Sequence, residues 1–178
     1  PGTLSILGDL SDNSFTTAPN GAFTQTTATG YTPFEFNGNN FSGLSVSGGL
    51  GMDVLELLGY GTGQTNPLAT SLNGDGDADT IRVHSTTGNT GVVTLNGGAG
   101  SDQFLLSNLL DTVNSIVGQV VVDGTDGNVP SRLRWSAFND ETDYTVSAST
   151  LSDFRDLKTA AIERVLDIAN LADRRDAK

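Results

Sequence analysis

Three stretches of this chain align without gaps on one plan: a short apolar strand, a Gly-rich turn, an Asp, and a second short strand. They are Leu44-Ser-Val-Ser-Gly-Gly-Leu-Gly-Met-Asp53-Val-Leu-Glu-Leu57, Thr70-Ser-Leu-Asn-Gly-Asp-Gly-Asp-Ala-Asp79-Thr-Ile-Arg-Val83 and Val93-Thr-Leu-Asn-Gly-Gly-Ala-Gly-Ser-Asp102-Gln-Phe-Leu-Leu106. Asp53, Asp79 and Asp102 hold the same place in each, 26 and 23 residues apart. A period of this size marks a chain assembled by stacking one small unit on the next, because a single unit cannot bury its apolar side alone. A weaker copy opens at Gln119-Val-Val-Val-Asp-Gly-Thr-Asp-Gly127, and Ile162–Ile168 resembles the strand that precedes each turn.

The rest of the sequence agrees with short strands and tight turns. Gly accounts for 22 residues, and Gly and Asn accept the positive φ that turns demand. Apolar and polar residues largely alternate in Val54–Leu57, Thr80–Val83 and Tyr144–Leu151, as half-buried strands require. The expected fold is all-β: a parallel β-solenoid, a β-helix-like stack of short strands with Gly/Asp turns along one edge. A β-sandwich is the alternative, since frequent short strands serve it equally well. The expected core is Leu44, Val46, Leu55, Leu57, Leu72, Ile81, Val83, Leu95, Phe104 and Leu106. Residues 1–43 read as an irregular or capping β region, 44–127 as the Gly/Asp-turn repeat region, and 128–178 as a C-terminal β region. Within the last, apolar spacing from Phe154 onward allows a short helix over 152–160. Both ends of the sequence read as cuts inside something longer.

The turns resemble the Gly-Gly-x-Gly-x-Asp element of hemolysin-type calcium-binding (RTX) repeats, carried here by Gly48-Gly49-Leu50-Gly51-Met52-Asp53 and Gly97-Gly98-Ala99-Gly100-Ser101-Asp102. The middle copy, Gly74-Asp75-Gly76-Asp77-Ala78-Asp79, departs at two positions. The resemblance implies Ca2+ held by Asp53, Asp79 and Asp102, with Asp75 and Asp77 as further ligands, in a giant repetitive exported protein of bacteria. In that family the nonapeptides follow one another directly; here each is isolated. The residues by themselves leave a second role open, in which each Asp closes its turn by accepting backbone N–H bonds and no metal is involved.

Charge narrows the partners. The net charge is −12, and no Lys or Arg precedes Arg82. Such a surface repels phosphate backbones and anionic membranes, so neither nucleic acid nor membrane insertion is expected. There is no cysteine, hence no disulfide or thiolate site. His84 is the sole histidine and lacks a Gly-x-Ser-x-Gly companion, which argues against a catalytic triad. Asp140-Glu141-Asp143 reads as a solvated turn, and Gly59-Tyr60-Gly61-Thr62-Gly63 lacks the lysine of a phosphate-binding loop. The threonines Thr24, Thr26, Thr27 and Thr29 do not recur at a fixed spacing.

These observations predict a structural segment of a secreted or cell-surface bacterial protein, not an enzyme. It would pair with neighbouring repeats or self-associate head-to-tail into a filament or layer stabilised by calcium. Two alternatives come from other classes. One is a calcium-dependent adhesin or carbohydrate-binding module using Arg132, Arg134 and Trp135; the other is a polysaccharide-active β-helix enzyme.

Overall fold

The alternating segments of the repeats all become strands, and the glycines end them. The computed structural model describes residues 2–106, 115–123 and 132–135. Its strands are β1 (Thr3–Leu7), β2 (Ser14–Asn20), β3 (Phe23–Ala28), β4 (Phe34–Phe36), β5 (Gly43–Gly49), β6 (Val54–Leu57), β7 (Ala69–Asp75), β8 (Thr80–Val83), β9 (Val93–Gly98), β10 (Gln103–Leu106), β11 (Val120–Asp123) and β12 (Arg132–Trp135), with a 3-10 turn at Gly38–Asn40. No helix among the described residues is long and apolar enough to cross a membrane.

The strands divide into two sheets. The first has the order β1-β5-β7-β9-β11 and the second β12-β10-β8-β6-β2-β3-β4. In each Gly/Asp repeat the strand before the turn joins the first sheet and the strand after it joins the second, so equivalent strands pair side by side in parallel. Because side chains alternate along a strand, in-register pairing lines up inward residues in files. One file runs Ile6, Val46, Leu72, Leu95 and Val122 across the first sheet. Another runs Phe15, Leu55, Ile81 and Phe104 across the second. These residues form one apolar core, with Val46, Leu55, Leu72, Ile81, Leu95 and Phe104 all at most 1% exposed. Leu106 is only partly buried against it.

The fold differs from the sequence expectation. The strands do not close into a parallel solenoid; they form two separate sheets, one wholly parallel and one mixed. The parallel order is broken by β3, which is antiparallel to both β2 and β4. The cause is local. Gly21-Ala22 forms a two-residue loop that joins Asn20 to Phe23, and Gly21 takes the positive φ (61°) such a hairpin needs. An antiparallel sandwich is not the outcome either, since every pair in the first sheet is parallel. The helix expected over 152–160, like most of 128–178, lies outside the described residues.

The structure also shows a repeat within the segment read as irregular. β1 pairs with β5 at Leu4↔Leu44, and β2 pairs with β6 at Phe15↔Leu55. The same shift of 40 residues links Asn13 to Asp53. Residues 3–17 are therefore a first copy of the module, separated from the second by the β3–β4 hairpin.

Candidate functional site

The aspartates of the repeat sit where the chain leaves the turn and enters the second sheet. Strand register places them side by side, because Val54, Thr80 and Gln103, the residues that follow them, are paired partners. Asp53, Asp79 and Asp102 are each at most 2% exposed. Their carboxylates form a ladder between repeats. The Asn13 N–H donates to Asp53 Oδ1 (2.6 Å), the Asp53 N–H to Asp79 Oδ1 (2.8 Å), and the Asp79 N–H to Asp102 Oδ1 (3.0 Å). Each buried amide thus finds its acceptor in the next repeat, not in its own turn. A buried N–H left without a partner would cost about 1–3 kcal/mol, so the ladder answers a real demand.

The recurring spacing of Gly before Asp has a steric origin. A Cβ added at Gly48 would lie 2.2 Å from Asp53 Oδ2, one at Gly74 2.2 Å from Asp79 Oδ2, and one at Gly97 2.1 Å from Asp102 Oδ2. The carboxylate fills the room that a side chain would take. The first module obeys the same rule, since a Cβ at Gly8 would meet Asn13 Oδ1 at 2.3 Å. Asn13 stands at the head of the column. Its Oδ1 accepts the Asp9 N–H (3.0 Å) and its Nδ2 donates to Asp9 Oδ1 (3.1 Å), so it ends the ladder within its own turn.

Asp75 and Asp77 have a different job. They are exposed and adopt left-handed φ values of 75° and 72°, at the positions where the neighbouring turns carry Gly49 and Gly51 or Gly98 and Gly100. Asp is one of the few residues with a side chain that visits this region readily. Asp77 Oδ2 accepts the Gly51 N–H (3.1 Å), and Asp12 Oδ1 accepts the Met52 N–H (2.9 Å), which makes a second, outer set of links between turns.

Burial sets the electrostatics of the inner column. Removal from water, and next the negative charges of Asp102, Asp53 and Asp75, push the Asp79 carboxyl up to about 7 despite the hydrogen bond from Asp53. Asp53 is raised as well, first by burial and then by Asp12, Asp9 and Asp75. Oδ2 of both residues is buried without a hydrogen-bond partner. Burial therefore favours the protonated form of the middle rung, which relieves repulsion along the column.

Calcium takes six to eight oxygen ligands in an open cage. The inner column does not fit it. Oδ1 of Asp53, Asp79 and Asp102 each faces a backbone N–H, whose positive end points where a cation would sit, and each Oδ2 is packed against a glycine. Asp75 and Asp77 do not converge with the inner three, and among the described residues no group of three or more His, Cys, Asp or Glu side chains is placed to hold a metal. Of the ligand set implied by the RTX resemblance, Asp53, Asp79 and Asp102 use Oδ1 in this hydrogen-bond ladder.

The remaining candidates separate. Arg82 donates to Glu56 Oε1 (3.0 Å), and His84 Nε2 lies 3.6 Å from the same oxygen. In the Gly59–Gly63 loop, backbone N–H groups are spent on the protein: Tyr60 on Thr87 O, Gly61 on Thr24 Oγ1, Thr62 on Gly21 O and Gly63 on Ala22 O. Those four amides are not free to cradle a phosphate. Thr24 and Thr26 are buried, and Thr26 pairs with Thr17 through its hydroxyl (3.0 Å). Arg132, Arg134 and Trp135 lie on β12, which pairs with β10. Asp140, Glu141 and Asp143 fall outside the described residues. What the sequence reading missed is Gly8 and Asn13, although Leu4-Ser-Ile against Leu44-Ser-Val was the available signal. No protein-family model, curated protein or solved structure matches this chain.

Proposed function

We propose that this chain is a structural segment of a bacterial secreted or cell-surface protein, whose repeats lock to one another through the aspartate ladder. The observation that carries the reading is the use to which the buried carboxylates are put. In an enzyme, buried acids with raised pKa values are expected in a cleft. Here they are sealed against glycines and hold the next repeat's backbone. The low charged fraction of 17%, the absence of cysteine and the one-sided acidity support an extracellular setting. The β3–β4 hairpin adds to this reading by occupying the flank of β2, where another parallel strand would otherwise stack.

Denaturant unfolding of Asp79→Ala tests the structural role. The variant leaves the Asp53 N–H without its acceptor, and we expect a loss of about 1–3 kcal/mol in a single cooperative transition. A variant as stable as the parent would refute the ladder as the element that joins the repeats. Protease accessibility on intact bacterial cells tests the location.

A further inference from the structure

Strand register stacks the turns as well as the strands. Turns 8–13, 48–53, 74–79 and 97–102 lie one on the next. They are tied by the Leu50 N–H to Asp9 O (3.0 Å), the Gly76 N–H to Gly49 O (3.0 Å) and the Ala99 N–H to Asp75 O (2.8 Å). The third residue of each turn thereby falls in one file, Leu10, Leu50, Gly76 and Ala99, along the edge where the chain passes between sheets. Leu10 and Leu50 are 78% and 52% exposed, and Met52, on the same turn as Leu50, is 61% exposed. A Cβ at Gly76 would meet Leu50 Cδ2 at 2.7 Å, so Leu50 leans over the third turn and not into the core. A single exposed apolar side chain needs no explanation, but neighbours on stacked turns form one patch.

The same turns set carboxylates around the patch. Asp12 Oδ1 accepts the Met52 N–H (2.9 Å) and Asp77 Oδ2 accepts the Gly51 N–H (3.1 Å), so both acids touch the turn that carries Leu50 and Met52. Asp75 pairs in register with Gly49, beside Leu50, and adjoins Gly76, over which Leu50 leans. Asp9 adjoins Leu10, and hydrogen bonds from the Ser11 N–H and the Asn13 side chain hold its carboxyl below the usual range. All four acids are exposed, and no Lys or Arg is built into these turns. Stacked turns lie about 4.8 Å apart, so the acidic first and third turns bracket Leu50 and Met52 at about 10 Å from each other.

Resting on the structural reading above, we propose that this turn edge is a docking face for a segment of another protein in which apolar residues are flanked by Lys or Arg. The apolar side chains cover Leu10, Leu50 and Met52, and the cations meet Asp9 and Asp12 on one side and Asp75 and Asp77 on the other. A second copy of this chain brings the same net charge of −12, which opposes its approach to an acidic edge.

Titration of the full chain with the blocked peptide Lys-Leu-Gly-Leu-Lys, read by calorimetry, tests it. Binding is expected, weakening as salt is raised. It should be about tenfold weaker for each of two control peptides, one with Glu in place of Lys and one with Ser in place of Leu. The double variant Asp12→Asn, Asp77→Asn keeps the oxygens that accept from Met52 and Gly51, and Asn tolerates the left-handed φ of 72° at position 77, so it should melt close to the parent. That variant and Leu10→Ser should each weaken binding about tenfold. Absence of binding, equal binding of all three peptides, or full affinity in both variants would overturn the proposal. A dimer in sedimentation that Leu10→Ser dissolves would assign the face to a second copy and overturn it as well. None of these results moves the Asp79→Ala measurement, which tests the structural reading separately.

Discussion

The amide of Asp53 donates to the carboxylate of Asp79 across 2.8 Å, although 26 residues separate them in the chain. This single bond ties one repeat to the next at the point where the backbone passes from the first sheet to the second. Its acceptor is also the group whose ionisation burial opposes most clearly, so the stability of the assembly should depend on pH.

Asp79 has a folded-state pKa of about 7 against an ordinary value of 3.8. Below the ordinary value both states are protonated and pH has little effect through this group. Between the two values the unfolded chain ionises while the folded one keeps its proton, so stability falls as pH rises, and it levels off above the folded value. Asp53 acts in the same direction. Asp9 acts oppositely, since its carboxyl is lowered and its contribution is lost only as pH falls below the ordinary carboxylate range. Thermal melting should therefore be highest near pH 4–5 and drop towards pH 8. A midpoint that rises across that interval would contradict the buried column.

Asp79→Asn keeps an oxygen for the Asp53 N–H and removes the charge. At pH 8 this variant should equal or exceed the parent by about 1–3 kcal/mol, with most of the pH dependence between 4 and 7 gone. Paired denaturant titrations at pH 5 and pH 8 measure both effects.

Gly74→Ala places a methyl group 2.2 Å from Asp79 Oδ2 and 2.5 Å from the Gly97 carbonyl oxygen. Neither can retreat easily, one being a ladder rung and the other backbone. A loss of about 2–4 kcal/mol is expected by chemical unfolding. Ala at Gly2, where nothing lies within 4 Å, is the control that should leave stability unchanged.

Asn13→Asp replaces the amide that donates to Asp9 Oδ1 with a second carboxylate. Two like charges then face each other at the head of the ladder. The expected cost is about 1–2 kcal/mol at pH 7, shrinking as salt is raised or pH lowered.

Calcium should leave the melting temperature where a magnesium or ionic-strength control leaves it, because the inner oxygens already face amide protons. A ligand bound only by the folded state would raise it by mass action. A clear rise with millimolar calcium, reversed by EDTA, would show that the turns rearrange to bind the ion.

The sequence by itself determined the unit and its inward face. Alternation placed Leu55, Ile81 and Phe104 on one side of their strands, and the Gly-to-Asp spacing marked the turns, because both are set by local backbone geometry. It could also have shown the first module, since Leu4–Asn13 follows the same plan. Only the tertiary structure decided what the aspartates do. An Asp after a Gly-rich turn can bind a cation, cap its own turn or reach the next repeat, and the choice depends on which backbone amide strand register brings within hydrogen-bonding distance. The same holds for the break in parallel order: Gly21 marks a turn in the sequence, but whether the next strand returns beside β2 or crosses to the other sheet is decided by the long-range pairing available to it.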